Sequence, residues 1–209
     1  MSIACVLNTS CLAPNANDLL SSGKVPYGRR AWLLRNVILP VYRWAGLFSE
    51  IVIVGEFEKG EGYTWIPGDS IYQNCADALW KRQVGFDALR HKSVEWVLFQ
   101  HDDHLYGPTN EYPAGHRIPE DVISPSRWTR ARIGSGEPLN DGSHLGHING
   151  HACLMRPGVF RAGFSWAEIP PVFTWDVEAS KRLAELKLTH AHVAKLKVWD
   201  LEEGSTPWA

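Results

Sequence analysis

Residues 95–104 read EWVLFQHDDH, and this stretch decides the fold class. The apolar run at 96–99 predicts a buried β-strand, and the run ends abruptly in two consecutive acids, Asp102 and Asp103, each flanked by a histidine. In open α/β sheets, ligands bind beyond the carboxyl ends of the strands. The stretch therefore predicts a polar site at the end of a central strand.

Two adjacent carboxylates repel each other, and a nearby cation makes such a pair tolerable. Hard oxygen ligands at a strand end suit Mg²⁺ or Mn²⁺, which is typically shared with the phosphates of a nucleotide. Asp102 and Asp103 are thus candidate metal ligands. The alternative is an ordinary polar turn, in which the two acids cap whatever follows the strand.

The composition is that of a globular protein. The chain has 209 residues, of which 44% are hydrophobic, and this predicts a single domain over residues 1–209 with one sizeable core. The net charge of −2 provides no overall attraction to nucleic acid or to an anionic membrane. No apolar run approaches the length of a membrane span, and no secretory signal pattern opens the chain, so a cytoplasmic protein is expected.

The first half of the chain alternates strand and helix patterns. Apolar runs at 3–7, 51–54 and 96–99 predict strands. Helical spacing of apolar residues predicts helices over 29–45, with a kink or interruption at Pro40, and over 74–90. Strands that alternate with helices predict an α/β fold with a mostly parallel sheet.

The second half is less regular. Residues 107–149 are rich in Gly, Pro, Ser and His and are expected to form a long irregular loop. A short strand is predicted at 151–155, an amphipathic helix at 176–186 and a last strand at 191–199. The polar tail at 202–209 is expected to fray.

The segments ALWKRQVGFDAL (78–89) and VLFQHDDH (97–104) carry a family resemblance. Together they resemble the helix and strand of the nucleotide-sugar-dependent glycosyltransferases of the GT-A fold, family 2. Those enzymes show a helix of the type Arg-Asn-x-Gly before an apolar strand that ends in aspartates. Arg82, Gln83 and Gly85 align with that motif, with Gln83 in place of the usual asparagine.

The resemblance continues downstream through NGHACLMRPGVF (149–160) and the segment from Thr174 to Arg182. Family members have a helix that opens TEDxxLxxR, and its second acid is the general base in inverting members. Asp176 matches that acid, whereas Trp175 stands where the first acid usually is. A histidine on the following strand often completes the metal shell of GT-A enzymes.

The resemblance implies a GT-A-like (Rossmann-like) domain with a long irregular acceptor loop. It also implies metal-dependent transfer of a sugar from a nucleotide sugar, most simply a UDP-sugar, to an acceptor hydroxyl with inversion. The residues it implies are Asp102, Asp103, His190 and His192 for Mn²⁺ or Mg²⁺, Asn8, Thr9, Arg82 and Asp102 for the donor, and Asp176 as the base.

Each of these residues also has a plainer interpretation. Asp176 could only cap its helix, and Arg82 could lie on a solvated helix face. Asn8 and Thr9 could belong to an ordinary hydrated loop. Asp69 could lie near a ribose, but it is more simply a turn or helix cap.

The acceptor is open to several interpretations: a glycan, a small molecule or a modified DNA base. Arg127, Arg130 and Arg132, with Trp128 between them, would suit an acceptor that carries phosphate, such as DNA. A scattered basic loop is the alternative.

A rival site is rich in histidine. His144, His147, His151 and Cys153 could supply nitrogen and sulfur ligands to zinc, although the intervening glycines disfavour the helix that would align them. Two other functions stay open. One is a metal-dependent phosphoesterase that uses the His and Asp residues around 101–104 and 144–151, and the other is a non-catalytic module that binds carbohydrate or nucleic acid through exposed tryptophans.

Overall fold

The computed structural model describes residues 2–10, 27–68, 75–107, 118–132, 138–143, 147–150, 152–194 and 196–202. In these residues the strands are β1 Ile3–Ser10, β2 Glu50–Glu56, β3 Thr64–Ile66, β4 Trp96–His101, β5 His104–Tyr106, β6 Val122–Pro125, β7 Arg127–Arg132, β8 Pro138–Ser143, β9 Ala152–Met155, β10 His190–Val193 and β11 Val198–Glu202. The helices are α1 Tyr27–Leu33, α2 Leu39–Ala45, α3 Cys75–Leu89, α4 Pro157–Arg161 and α5 Trp175–Glu185. No helix in this part of the chain is long and apolar enough to cross a membrane.

The main sheet has seven strands in the order β10-β6-β9-β4-β1-β2-β3. Strand β9 is antiparallel to β4 and β6, and the other paired strands run parallel. The predicted α/β fold with a mostly parallel sheet is confirmed.

The core lies on both faces of this sheet, because successive residues of a strand point to opposite sides. On β1, Ile3, Cys5 and Leu7 pack with α1, α2 and the turn between them. Ala4 and Val6 face the other side and pack with α3, α4 and α5. The run IACVL is apolar throughout because both of its faces are covered.

The predicted helix over 29–45 is interrupted before Pro40. A π-helical turn spans Leu34–Ile38, and the backbone N–H of Leu39 bonds to the carbonyl of Leu34, five residues back. Proline has no N–H to continue the α-helical ladder, and a wider turn beside it is one way to accommodate that loss.

Helix α3 packs very closely on the sheet at Gly85. A Cβ atom at this position would lie 2.3 Å from a Val6 methyl carbon and 3.2 Å from one of Val54. Only glycine permits that approach. This close packing fixes the helix over β1 and β2 and sets the position of the charged residues near its N-terminus.

Two predictions for the second half are wrong. Residues 107–149 are not one irregular loop, since β6, β7 and β8 lie within them. Residues 191–199 are not one strand, since β10 pairs with β6 in the main sheet and β11 belongs to a second sheet of order β5-β11-β7-β8. Strand β8, PLNDGS, was not predicted because its sequence lacks the alternation of apolar and polar residues, yet it pairs with β7.

Candidate functional site

The parts of the chain that carry the predicted motifs meet at one edge of the main sheet. Asn8 of β1 pairs in register with His101 of β4, and Asp102 and Asp103 form the turn that follows. Ala152 of β9 pairs with Gln100, so the antiparallel β9 begins where β4 ends. This carboxyl-terminal edge is where ligands bind in open α/β sheets.

The two acids are held by an arginine from α1. Nη1 of Arg30 lies 2.9 Å from Oδ1 of Asp102, and Nη2 lies 2.7 Å from Oδ2 of Asp103. Nδ1 of His104 lies 2.6 Å from the other oxygen of Asp103. The side chain of Asp102 is fully buried, and that of Asp103 is 6% exposed. Arg30 therefore supplies the positive charge that two adjacent carboxylates need.

These contacts keep Asp103 ionised. Burial by itself raises the pKa of Asp103, but the charges of Arg30, His104 and His101 and the hydrogen bond to His104 lower it well below its ordinary value. The turn is also fixed by the backbone, because the N–H of Leu201 donates to the carbonyl of Asp103. Asp102 and Asp103 are thus held in a buried ion pair, in a turn whose backbone is also hydrogen-bonded.

A buried hydrogen-bond network supports the same turn. The hydroxyl of Tyr42 donates to the side-chain oxygen of Gln100 at 2.8 Å, and the Gln100 amide donates to the carbonyl of His104. The backbone N–H of Tyr106 donates to the Tyr42 hydroxyl. Tyr42 of α2 and Gln100 of β4 therefore both hold the backbone of this turn in place.

The four predicted metal ligands form two separate groups, because Asp102 and Asp103 lie together and the two histidines lie elsewhere. His190 and His192 lie on β10, which is three strand positions away from β4 in the sheet. Strands are spaced by about 4.8 Å, so the two backbones lie about 14 Å apart, and the His190 ring contacts Ser124 on the adjacent β6 instead of the acids. Among the described residues, no group of three or more His, Cys, Asp or Glu side chains could hold a metal ion. Among the described residues, the set Asp102, Asp103, His190 and His192 does not fit a single Mn²⁺ or Mg²⁺ ion.

Lys81 is a buried cation that the sequence analysis did not single out. Its ammonium group donates to the carbonyl of Thr9 at 2.7 Å and lies 2.6 Å from Oδ2 of Asp77. Its side chain is 1% exposed. Burial raises the pKa of Asp77, and Lys81 partly offsets that effect. The only available sequence signal is the i, i+4 spacing of Asp77 and Lys81 on a predicted helix.

The polar side chains at the end of β1 already make hydrogen bonds within the protein. The Thr9 hydroxyl is buried and donates to the carbonyl of Glu56 at 3.0 Å, so Thr9 does not present its side chain to a ligand in this conformation. The Asn8 amide donates weakly to the carbonyl of Ala78 at 3.4 Å. Oδ1 of Asn8 is buried and has no hydrogen-bond partner among the described residues, which leaves an acceptor at the predicted nucleoside position.

Arg82 is buried, and this corrects its predicted role. Its guanidinium donates to the carbonyl of Gly150 at 2.6 Å and is surrounded by aromatic rings. Its central carbon lies 4.8 Å from the ring centre of Trp175 and 5.2 Å from that of Trp166. Burial lowers the pKa of Arg82, and the nearby Cys153 and Asp176 partly offset this. A fully buried guanidinium cannot contact a donor diphosphate in this conformation; it joins α3 to β9 and α5.

Gln83 has a related structural role. Its side-chain oxygen accepts hydrogen bonds from the Ser165 hydroxyl at 3.1 Å and from the backbone N–H of Trp166 at 3.0 Å. Its amide donates to Asp87. The residue that departs from the family motif therefore ties α3 to the 3₁₀ turn at Trp166–Glu168.

Asp176 lies in the first turn of α5 and is partly exposed. Thr174 is the N-cap residue, so Asp176 is not the cap, although its Oδ1 accepts the neighbouring backbone N–H of Val177 at 2.9 Å. Its Oδ2 lies 3.4 Å from Nε2 of His147. A Cβ atom on Gly150 would lie 3.5 Å from this oxygen, which places Asp176 beside the start of β9 at the same edge.

His190 and His192 form a separate group with Ser124. Their rings lie 4.7 Å apart, and Nε2 of His190 is 3.1 Å from the Ser124 hydroxyl. That hydroxyl accepts the backbone N–H of Asn149, which leaves its hydrogen to donate to the ring. Burial, His192 and His147 lower the pKa of His190 to about 4, and burial also lowers the pKa of His192. Both rings are neutral at pH 7.

Several predicted residues lie outside the described part of the structure: Asp69, His144 and His151, together with the side chains of Arg127, Trp128, Arg130 and Arg132. Cys153 is described; it is buried beside Arg82, and burial raises its pKa to about 11. A thiol of that kind is a poor ligand for zinc at neutral pH.

A cavity of about 690 Å³ opens at the opposite, amino-terminal edge of the sheet. It lies between the end of α3 and α4, and its lining includes Phe86, Arg90, Arg156 and Phe160. It contains none of the predicted site residues.

Comparison with known proteins supports the fold. No family model and no curated protein matches the chain. Among solved structures, the chain is similar to the inositol-1-phosphate CTP transferase from T. maritima, with a TM-score of 0.54 and 11% sequence identity over 98% of this chain and 91% of that chain. At this identity the likeness is one of fold, and the shared fold is a Rossmann-like α/β sheet that spans nearly the whole chain.

Proposed function

We propose that the protein is a transferase that acts on a nucleotide-activated substrate, and that it transfers a sugar from a nucleotide sugar to an acceptor hydroxyl. One observation carries the proposal: Asn8, the turn at Asp102 and Asp103, and Asp176 beside Gly150 meet at a single carboxyl-terminal sheet edge. These are the segments that resemble family 2 glycosyltransferases, and they are widely separated in the sequence.

In the proposed reaction, the acceptor oxygen attacks the anomeric carbon of the sugar. The bond between that carbon and the diphosphate oxygen breaks, the diphosphate leaves with the electron pair, and the configuration inverts. Asp176 accepts the proton of the acceptor hydroxyl as general base. The Asp176 side chain is 18% exposed, and His147, 3.4 Å from its Oδ2, is placed to orient it.

The nucleoside is proposed to bind at the end of β1. Oδ1 of Asn8 has no hydrogen-bond partner among the described residues, and burial makes an unmatched acceptor costly, so a base N–H that reached it on nucleotide binding would be stabilising. A UDP-sugar is the proposed donor. Glycans, small molecules and modified DNA bases remain proposed acceptors, the last through the arginines of β7, and a cytoplasmic location is part of the same proposal.

Nucleotidyl transfer is the second candidate, because a solved structure similar to this chain is a CTP transferase. The two reactions differ in their products. Sugar transfer releases a nucleoside diphosphate, whereas nucleotidyl transfer from a nucleoside triphosphate releases inorganic pyrophosphate.

The test is a thermal-shift screen with nucleotide sugars and nucleoside triphosphates, followed by product analysis for each ligand that stabilises the protein. Stabilisation by a nucleotide sugar, with release of the diphosphate that Asp176→Asn abolishes, supports sugar transfer. Pyrophosphate release from a triphosphate favours the second candidate. Absence of stabilisation by every nucleotide contradicts both.

A further inference from the structure

The acids that close β4 are paired with a cation inside the protein. Arg30 reaches both carboxylates through separate nitrogens at 2.9 and 2.7 Å, and His104 contacts the remaining oxygen of Asp103 at 2.6 Å. A divalent ion at this position would have to displace the guanidinium, because it needs the same carboxylate oxygens.

Displacement would be costly. The Arg30 side chain is 8% exposed, so its charge would have to leave a buried position in which two carboxylates stabilise it. An arginine that bridges two acids makes charge-assisted bonds that are shorter and stronger than neutral ones. Removal of one partner from a buried group of charges leaves the others uncompensated.

The surrounding structure also favours a guanidinium over a metal ion. Gln100, the residue two positions before Asp102, bonds to Tyr42 and His104 and is not directed at the acids. A Mg²⁺ or Mn²⁺ ion is usually held by one or two carboxylates together with waters and substrate phosphates, so the two acids could bind one only if Arg30 left their oxygens.

We propose that Arg30 takes the place of a divalent cation at this edge, so that the aspartate pair holds a guanidinium and the protein binds its anionic substrate without Mn²⁺ or Mg²⁺. The part of the inference that concerns the substrate rests on the proposed function; the part that concerns the acids does not. The ligand class is a nucleoside diphosphate group.

The first experiment measures metal binding by the protein alone. The melting temperature is recorded with EDTA and with saturating Mn²⁺ for the wild type, for Arg30→Met, and for Arg30→Met combined with Asp103→Asn, with Mn²⁺ binding followed in parallel by electron paramagnetic resonance. We expect no response from the wild type. In Arg30→Met the vacated acids should acquire a Mn²⁺ site and a rise of about 5 °C, and Asp103→Asn should abolish that rise.

Two results would overturn the inference. One is saturable Mn²⁺ binding by the wild type that Asp103→Asn removes. The other is a folded Arg30→Met protein that does not respond to Mn²⁺. If Arg30→Met does not fold, Arg30→Gln serves in its place, because the neutral amide removes the positive charge while it can still donate a hydrogen bond to one acid.

The second experiment separates this inference from the proposed function. Nucleotide-sugar stabilisation of the wild type is compared in EDTA and in Mn²⁺. Equal stabilisation in both supports metal-independent substrate binding, and stabilisation that requires Mn²⁺ contradicts it. Absence of stabilisation in either condition contradicts the proposed function, while the metal measurements on the protein alone still decide the role of Arg30.

Discussion

Lys81 and Thr9 are 72 positions apart in the sequence, yet the Lys81 ammonium group donates a 2.7 Å hydrogen bond to the Thr9 carbonyl. The same ammonium pairs with Asp77 one helical turn away. A buried cation thereby links the N-terminal part of α3 to the carboxyl end of β1. The position of the candidate nucleoside site depends on this link.

Replacement of Lys81 by methionine should destabilise the protein strongly. The change keeps the length of the side chain but leaves Asp77 without its buried partner, which costs about 3 kcal/mol in the free energy of unfolding. Urea denaturation measures it. Lys181→Met is the matched control, because its pair with Glu178 has nearly the same distance, 2.7 Å, but a 63% exposed lysine side chain. The control should lose less than about 1 kcal/mol, and equal losses in the two variants would refute the structural role of Lys81.

Replacement of Gly85 by alanine should also be destabilising, because the new Cβ would lie 2.3 Å from Val6. Relief of that clash requires α3 to move away from the sheet, at a cost of about 1–3 kcal/mol in unfolding free energy. Gly158→Ala is the control, since the nearest atom to its Cβ is the flexible end of Arg161 at 3.8 Å. Equal unfolding midpoints for the two variants in urea would contradict the close packing.

The stability of the protein should fall between pH 6.5 and about 4 because of His190. Burial, His192 and His147 lower its folded pKa to about 4 from 6.5, so only the unfolded chain takes up this proton in that range. The stabilisation that comes from the neutral His190 ring is fully present above pH 6.5. As the pH falls below 6.5, the free energy of unfolding decreases by about 1.4 kcal/mol for each pH unit.

His190→Gln should flatten this part of the pH dependence, whereas substitution of the exposed His91 by glutamine should leave it unchanged. Urea unfolding of the three proteins at several pH values measures the effect. Equal slopes for His190→Gln and the wild type would refute the burial of a neutral ring at this position.

The regular part of the fold could be predicted from the sequence because its signals are local. The run IVIV became β2 and the run WVLF opened β4, since strands covered on both faces need apolar residues at every position. The predicted helix over 74–90 became α3 within one residue at each end. Strands such as VISP and PLNDGS gave no comparable signal, because tertiary pairing fixes them rather than their composition.

The site was predicted less well, because its charges are paired across the fold. The acids at 102 and 103 indicated a required cation, but the sequence did not show that Arg30 supplies it. The buried positions of Lys81 and Arg82 depend on how α3 packs, and polarity alone suggests a solvated helix face. Local sequence patterns also do not reveal the order of strands in the sheet, and this order separates His190 and His192 from the acids.

Asp176→Asn should reduce turnover of a nucleotide sugar by about 100-fold or more, because an amide cannot accept the acceptor proton. The asparagine oxygen can still accept the Val177 N–H, so the melting temperature should change little. His147→Gln should reduce kcat less and shift its pH profile. Steady-state kinetics on the three proteins measure this, and wild-type kcat in Asp176→Asn would remove the residue from the reaction.

A crystal structure of the protein with bound UDP tests the proposed donor site. We expect the nucleotide at the carboxyl-terminal edge, with its base within hydrogen-bonding distance of Asn8 and its diphosphate near the turn at Asp102 and Asp103. UDP bound instead in the cavity between α3 and α4 at the opposite edge would contradict it.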